Sequence, residues 1–196
     1  MQKFFIIIPT LNSYESLPKL INSLNLQTYK KWRVLFIDGN SKKNHRIYLE
    51  NLCSENPNFD FIYQEEKHPG IYGAMNQGIK YANQDEWIFF WGSDDWVIEA
   101  NTLLDINSYL HKNDLKNLDL LIFSARYFNN KTNKISRNIS FSKSKYKIFN
   151  SKTYKKEIFI GNSPPHQATL FGPKLIQRNI FFDEELLIAA DLHFFL

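Results

Sequence analysis

At 196 residues the chain has the length of one domain. Hydrophobic residues make up 43% and charged residues 22%, a globular balance that excludes a mostly disordered chain, and one cysteine, Cys53, excludes an intrachain disulfide framework and a Cys-rich zinc site. The net charge of +4 is uneven: residues 1–100 hold 10 Lys and Arg against 12 Asp and Glu, whereas residues 101–196 hold 14 against 8.

The first half alternates between two periodicities. Phe4–Ile8 is a continuous apolar run, fit for a strand buried on both faces. Asn12 and Glu15 stand at capping-box spacing before Leu17, Leu20, Ile21 and Leu24, which recur as one face of a helix. Val34–Ile37 is a second buried-strand run, ended by Asp38-Gly39. A polar stretch with Ile47, Leu49, Leu52 and Cys53 follows as a helix, with Cys53 read as a core thiol. Phe59, Phe61 and Tyr63 alternate as a strand, and Ile71, Ala74, Met75, Ile79 and Ala82 form a helical stripe opened by Gly70. Trp87–Trp91 is a third apolar run, ended by Gly92-Ser93-Asp94-Asp95. Strand and helix in turn predict an α/β fold with a mostly parallel sheet flanked by helices.

The second half is less regular. Leu103, Leu104, Ile106 and Leu110 suit a helix, and Leu118–Phe123 and His166–Phe171 suit strands. Residues 126–160 are polar, with short strands and no clear period. The positive excess lies in Lys131, Lys134, Arg137, Lys143, Lys145, Lys147, Lys152, Lys155 and Lys156. Such a stretch suits a polyanion (nucleic acid, anionic lipid or a phosphorylated substrate) or is a solvated basic face. Leu186–Leu196 is apolar around Asp191. No repeat or linker divides the chain, so the expectation is a single domain over 1–196. Phe4–Ile8 stops at Pro9, too short for a signal-peptide core, and no apolar run approaches the ~20 residues of a membrane span. A soluble intracellular protein follows, with peripheral membrane contact left open.

In an open α/β sheet, ligands sit beyond the carboxyl ends of the strands. Three runs end in Pro9-Thr10, Asp38-Gly39 and Ser93-Asp94-Asp95, so adjacent parallel strands would gather these groups on one rim. Adjacent carboxylates repel unless a cation or hydrogen-bond donors balance them, and a hard divalent cation that also binds phosphate suits Asp94 and Asp95. The simpler alternative is a helix cap. Asp38-Gly39 is either a turn or a carboxylate accepting from a nucleobase or ribose. A lone His166 reads as structural, and Asp191 as the polar edge of a helix or a buried general base.

Ile8-Pro9-Thr10-Leu11-Asn12, Phe36-Ile37-Asp38-Gly39-Asn40-Ser41, Gly70-Ile71-Tyr72-Gly73-Ala74-Met75-Asn76-Gln77-Gly78-Ile79, Gly92-Ser93-Asp94-Asp95-Trp96, His166-Gln167-Ala168-Thr169, Phe182-Asp183-Glu184 and Ala189-Ala190-Asp191-Leu192 come in an order and spacing that resemble the family-2 glycosyltransferases. The likeness runs through nearly the whole chain and is greatest to bacterial enzymes of surface-polysaccharide and lipopolysaccharide synthesis. It implies the GT-A fold, with a nucleotide-sugar half over 1–98 and an acceptor half over 99–196 that ends soon after Asp191. It also implies inverting transfer from a nucleotide-diphosphate sugar to a saccharide or lipid-linked saccharide, with Mn²⁺ or Mg²⁺ as cofactor and no nucleic-acid partner. By the resemblance, Pro9 and Thr10 border the nucleobase and Asp38 hydrogen-bonds it. Asn76 lies on a helix lining the nucleotide pocket. Asp94 and Asp95 touch the ribose and hold the metal, Asp191 is the catalytic base, and His166 lies on the acceptor side. A non-catalytic nucleotide-sugar-binding remnant of the family is the alternative.

Overall fold

The computed structural model describes residues 1–113, 115, 118–129, 132, 134–141, 150–186 and 190–195. Lys131, Lys143, Lys145, Lys147, Ile188, Ala189 and Leu196 lie outside the described residues. In chain order the first half runs β1 (Lys3–Thr10), α1 (Leu17–Asn25), β2 (Trp32–Asp38), α2 (Lys43–Glu55), β3 (Phe59–Tyr63), α3 (Gly70–Ile79), β4 (Glu86–Phe90) and α4 (Thr102–Lys112). The second half adds β5 (Leu120–Ile122), β6 (Ala125–Asn129), β7 (Lys134–Ile139), α5 (Ser151–Phe159), β8 (Thr169–Phe171), α6 (Pro173–Gln177) and α7 (Ala190–Phe194). Six strands form one sheet in the order β3-β2-β1-β4-β8-β5. The first four are parallel, and β8 runs antiparallel to both β4 and β5. The hairpin of β6 and β7 stands apart as a second sheet.

The apolar runs become central strands because both faces of the sheet are covered. Phe4, Ile6 and Ile8 of β1 face a layer with Leu17, Leu20 and Leu24 of α1, Leu49 of α2 and Leu103, Ile106 and Leu110 of α4. Phe5 and Ile7 alternate to the other face, against Ala74, Met75 and Ile79 of α3 and against Phe171, Phe182 and Phe195. Gly78 lets α3 lie close to the sheet, since a Cβ there would stand 2.5 Å from Ile7 Cγ2. Buried Glu86, at the start of β4, is neutralised by Arg33, with both carboxylate oxygens 2.7 Å from guanidinium nitrogens.

Four local expectations are corrected. Asn12 and Glu15 form no capping box, because α1 begins later, at Leu17, with Ser16 as its cap and a proline in the first turn. Asn12 instead takes a left-handed conformation (φ 51°), which its short polar side chain tolerates. It clamps two loops, donating its N–H to Ser41 Oγ and accepting from Lys42 N–H, both at 2.8 Å. His166–Ala168 is a 3-10 turn, and only Thr169–Phe171 of that run is strand. The run 118–123 contributes only Leu120–Ile122. Within 126–160, the structure has a hairpin and the helix α5, which presents only Tyr154 and Ile158 to the core and so carries too short an apolar stripe for periodicity to find. No helix among the described residues is long and apolar enough to cross a membrane.

Candidate active site

The carboxyl ends of β1, β2 and β4 meet on one rim. Register pairs Thr10 with Asp38, Gly39 N–H donates to Thr10 O at 2.8 Å, and Trp91 N–H donates to Ile7 O at 3.1 Å. Pro9 is half-buried and Thr10 is buried. Asp38 is wholly buried, and its Oδ2 accepts from Ser41 N–H at 3.1 Å. Its Oδ1 lies 3.5 Å from Nε2 of buried His45 and has no hydrogen-bond partner among the described residues. Burial holds the His45 imidazole below its usual pKa, with the charge of Asp38 opposing. Sequence reasoning missed His45, which stands one turn inside α2 and carries no motif.

Beyond β4 the chain turns so that two carboxylates crowd one glycine. Gly92 N–H donates to Asp95 Oδ2 at 2.7 Å, and Asp95 N–H returns to Gly92 O at 3.2 Å. A Cβ at Gly92 would lie 2.9 Å from Asp94 Oδ1 and 3.2 Å from Asp95 Oδ2, so any side chain there would push the two carboxylates aside. Burial pushes Asp95 up to about 6, the charge of exposed Asp94 adds to this, and the Gly92 N–H opposes it. Among the described residues no group of three or more His, Cys, Asp and Glu side chains is assembled for a metal. The pair nevertheless fits a hard divalent cation, which takes one or two carboxylates and fills its remaining positions with water and phosphate oxygens. Trp96 packs edge-on against Phe128, and the Lys19 ammonium sits 3.3 Å from its ring centroid.

A cavity of about 470 Å³ opens beside this turn. Gly92, Tyr72 and Met75 of α3, Tyr127 and Ile139 of the hairpin, residues 161–167 and Asp191 line it. Asp191, in the first turn of α7, is half-buried, and Tyr72 Oη donates to its Oδ1 at 3.4 Å. His166 forms the inner wall. Its ring stacks on Phe90 at 5.6 Å and 7°, with the edges of Phe171, Phe182 and Phe195 around it. Burial drives its pKa down to about 4 against the pull of Asp191, so the ring is neutral at physiological pH. An unfolded chain protonates this histidine first, near pH 6.5. Stability is therefore lost as pH falls from about 6.5 toward 4. His166→Phe is expected to raise the urea midpoint at pH 5 relative to that at pH 7, while His45 still lowers stability toward acid and Asp95, pushed up to about 6, raises it; a difference between the two pH values unchanged from the unaltered chain would contradict the assignment.

Asn76 is not among the residues lining the cavity. Its buried carboxamide holds the segment that leads into α7: Nδ2 donates to Phe182 O at 2.9 Å and to Glu184 Oε1 at 2.8 Å, while Oδ1 accepts from Phe182 N–H at 2.8 Å. The other Glu184 oxygen lies 2.8 Å from His68 Nδ1. Phe182, thus fixed, stacks on Tyr72 at 5.6 Å, and Tyr72 in turn reaches Asp191.

Comparison with known proteins bears on these motifs. The family model described as glycosyl transferase family 2 matches residues 5–179. A PGL/p-HBAD biosynthesis glycosyltransferase of Mycobacterium tuberculosis is 31% identical over 127 residues, covering 63% of this chain and 49% of its own. The minor teichoic acid biosynthesis protein GgaB of Bacillus subtilis is 26% identical over 195 residues, 96% of this chain and 20% of its own. The crystal structure of S. aureus TarS 1–349 in complex with UDP superposes with a TM-score of 0.75 at 26% identity, over 99% of this chain and 54% of that one. The same protein is known with UDP-GlcNAc, at a TM-score of 0.73, 26% identity and 52% of that chain. This chain thus spans about half the length of the first of these relatives. Its mostly parallel sheet flanked by helices has the GT-A fold of such neighbours. With a match across most of its length, the chain belongs to glycosyl transferase family 2.

Proposed function

We propose that the chain carries an inverting, metal-dependent glycosyltransferase site that moves a sugar from a nucleotide-diphosphate sugar to a hydroxyl of a saccharide or lipid-linked saccharide in bacterial surface-polysaccharide or lipopolysaccharide synthesis. The observation that carries this reading is one cavity lined by both Asp191 and Gly92, the glycine whose N–H holds Asp95 just behind the cavity wall. Pro9, Thr10 and Asp38 form the base side of the donor site. Asp38 Oδ1 is shut off from solvent 3.5 Å from His45 Nε2, so a base N–H would reach it only after the rim loops shift on binding. Asp94 would take the ribose and share a divalent cation with Asp95. When bound, that cation supplies Lewis-acid neutralisation of charge on the leaving diphosphate. The support from TarS is its binding of UDP and UDP-GlcNAc, which favours a uridine nucleotide here.

Asp191 performs the proton transfer. Its carboxylate takes the proton of the acceptor hydroxyl as that oxygen attacks the anomeric carbon and the sugar–phosphate bond breaks. Attack from the face opposite the leaving group inverts the configuration. Tyr72 orients the carboxylate through Oδ1, leaving Oδ2 for the acceptor. His166, neutral and boxed by aromatic rings, shapes the acceptor side and takes no proton near neutrality.

Slow donor hydrolysis tests this without a known acceptor, since water can stand in for the hydroxyl. With UDP-sugars and Mn²⁺, the first sugar released is expected to carry the inverted anomeric configuration by NMR. Retained configuration would contradict the mechanism, and nucleotide binding with no turnover toward water or saccharide hydroxyls would favour the non-catalytic remnant.

A further inference from the structure

The helix α5 has two faces of opposite character. Asn150 caps it, accepting from Thr153 N–H at 2.9 Å. Tyr154 and Ile158, one turn apart, face inward, with Tyr154 against Phe141 at 5.5 Å and Ile158 in the core beneath the sheet. Lys152, Lys155, Lys156, Phe159 and Ile160 follow at spacings of three and four residues, so they share the opposite face. All five are exposed. Phe159 is 81% exposed, more than any other large apolar side chain described, and Ile160 is 64% exposed.

Three lysines alone would suit any polyanion. Two apolar side chains at the end of the same face need an apolar phase just beneath the negative charge, and a bilayer interface offers both. We propose that this face of α5 docks on an anionic lipid surface, with Phe159 and Ile160 inserted below the headgroups and the three lysines on the lipid phosphates. Gly161, in a left-handed turn (φ 90°), then leads directly into Asn162 and Ser163 on the cavity wall. A lipid-anchored hydroxyl would thereby reach Asp191 from the membrane side. That last consequence rests on the transferase reading; the docking does not.

Co-sedimentation with vesicles of phosphatidylcholine alone, and of equal parts phosphatidylcholine and phosphatidylglycerol, tests the docking apart from any activity. The unaltered chain is expected to bind the anionic vesicles and not the neutral ones, and to dissociate as salt rises. Phe159→Ser with Ile160→Ser should weaken binding by roughly tenfold or more. Lys155→Glu should weaken it by about fivefold or more. These side chains are solvent-facing, so unchanged melting temperatures and unchanged nucleotide binding would show that the variants remain folded. No binding of the unaltered chain, equal binding to neutral vesicles, or full binding by the serine double variant would overturn the proposal. A dimer that the serine variant dissociates, with vesicle binding untouched, would overturn it too and assign the face to a second copy of the chain.

Discussion

Asp191→Asn is expected to lower transfer by ~10²–10⁴-fold while leaving nucleotide affinity within about twofold. The amide is nearly the same size, and its oxygen still accepts from Tyr72 Oη, so the helix α7 has no reason to move. It cannot take a proton, so the acceptor hydroxyl must attack without a base. Thr10 and Asp38, on the proposed base side, and Asp94 and Asp95, on the proposed metal side, lie on other segments and lose nothing. Single-turnover rates and nucleotide titration on the same preparation separate the two effects. Equal loss of binding and turnover would make Asp191 a residue of the donor site; unchanged turnover would remove it from the chemistry.

Asn76→Asp is expected to cost about 3 kcal/mol of stability, although one atom type changes. The amide donates to the Phe182 carbonyl and to the Glu184 carboxylate, so an aspartate would set a second negative charge against both. The buried Phe182 carbonyl loses its donor at a cost of about 1–3 kcal/mol, and the half-buried Glu184 carboxylate loses one of its donors and faces a like charge. For a chain of this size the melting temperature should fall by roughly 6–12 °C. The anchor of Phe182 would loosen with it, and with Phe182 the stack on Tyr72 that points toward Asp191. Turnover should therefore fall more than folding alone explains, with Asn76→Asp regaining stability at low pH as the new carboxylate is protonated. An unchanged urea midpoint would contradict this account of the buried amide.

The central sheet was legible because it depends on runs that both layers bury. Phe4–Ile8 and Val34–Ile37 read as core strands and are core strands, and the run Trp87–Trp91 is one up to Phe90. The convergence of their carboxyl ends followed from parallel adjacency, and the register of β1 with β2 and β4 delivers it. What stayed hidden depends on contacts between residues far apart in the chain. Asn76 meets Phe182 and Glu184 more than a hundred positions away, and nothing in the local pattern of α3 marks its amide as an anchor for another segment. The Asn12 capping box failed for a related reason. The same side chain found backbone partners at Lys42 across the rim, and tertiary contact outweighed local helix chemistry. His45 comes within 3.5 Å of Asp38 only through the folded placement of α2, which no local pattern marks.

Titration calorimetry with nucleoside diphosphates, in Mn²⁺ and again in EDTA, tests most directly whether the rim of β1, β2 and β4 is a donor site. The account predicts that one nucleotide binds, that binding needs the cation, and that Asp95→Asn weakens this cation-dependent binding. A folded chain that binds no nucleoside diphosphate in Mn²⁺, or binds one equally in EDTA, would contradict it.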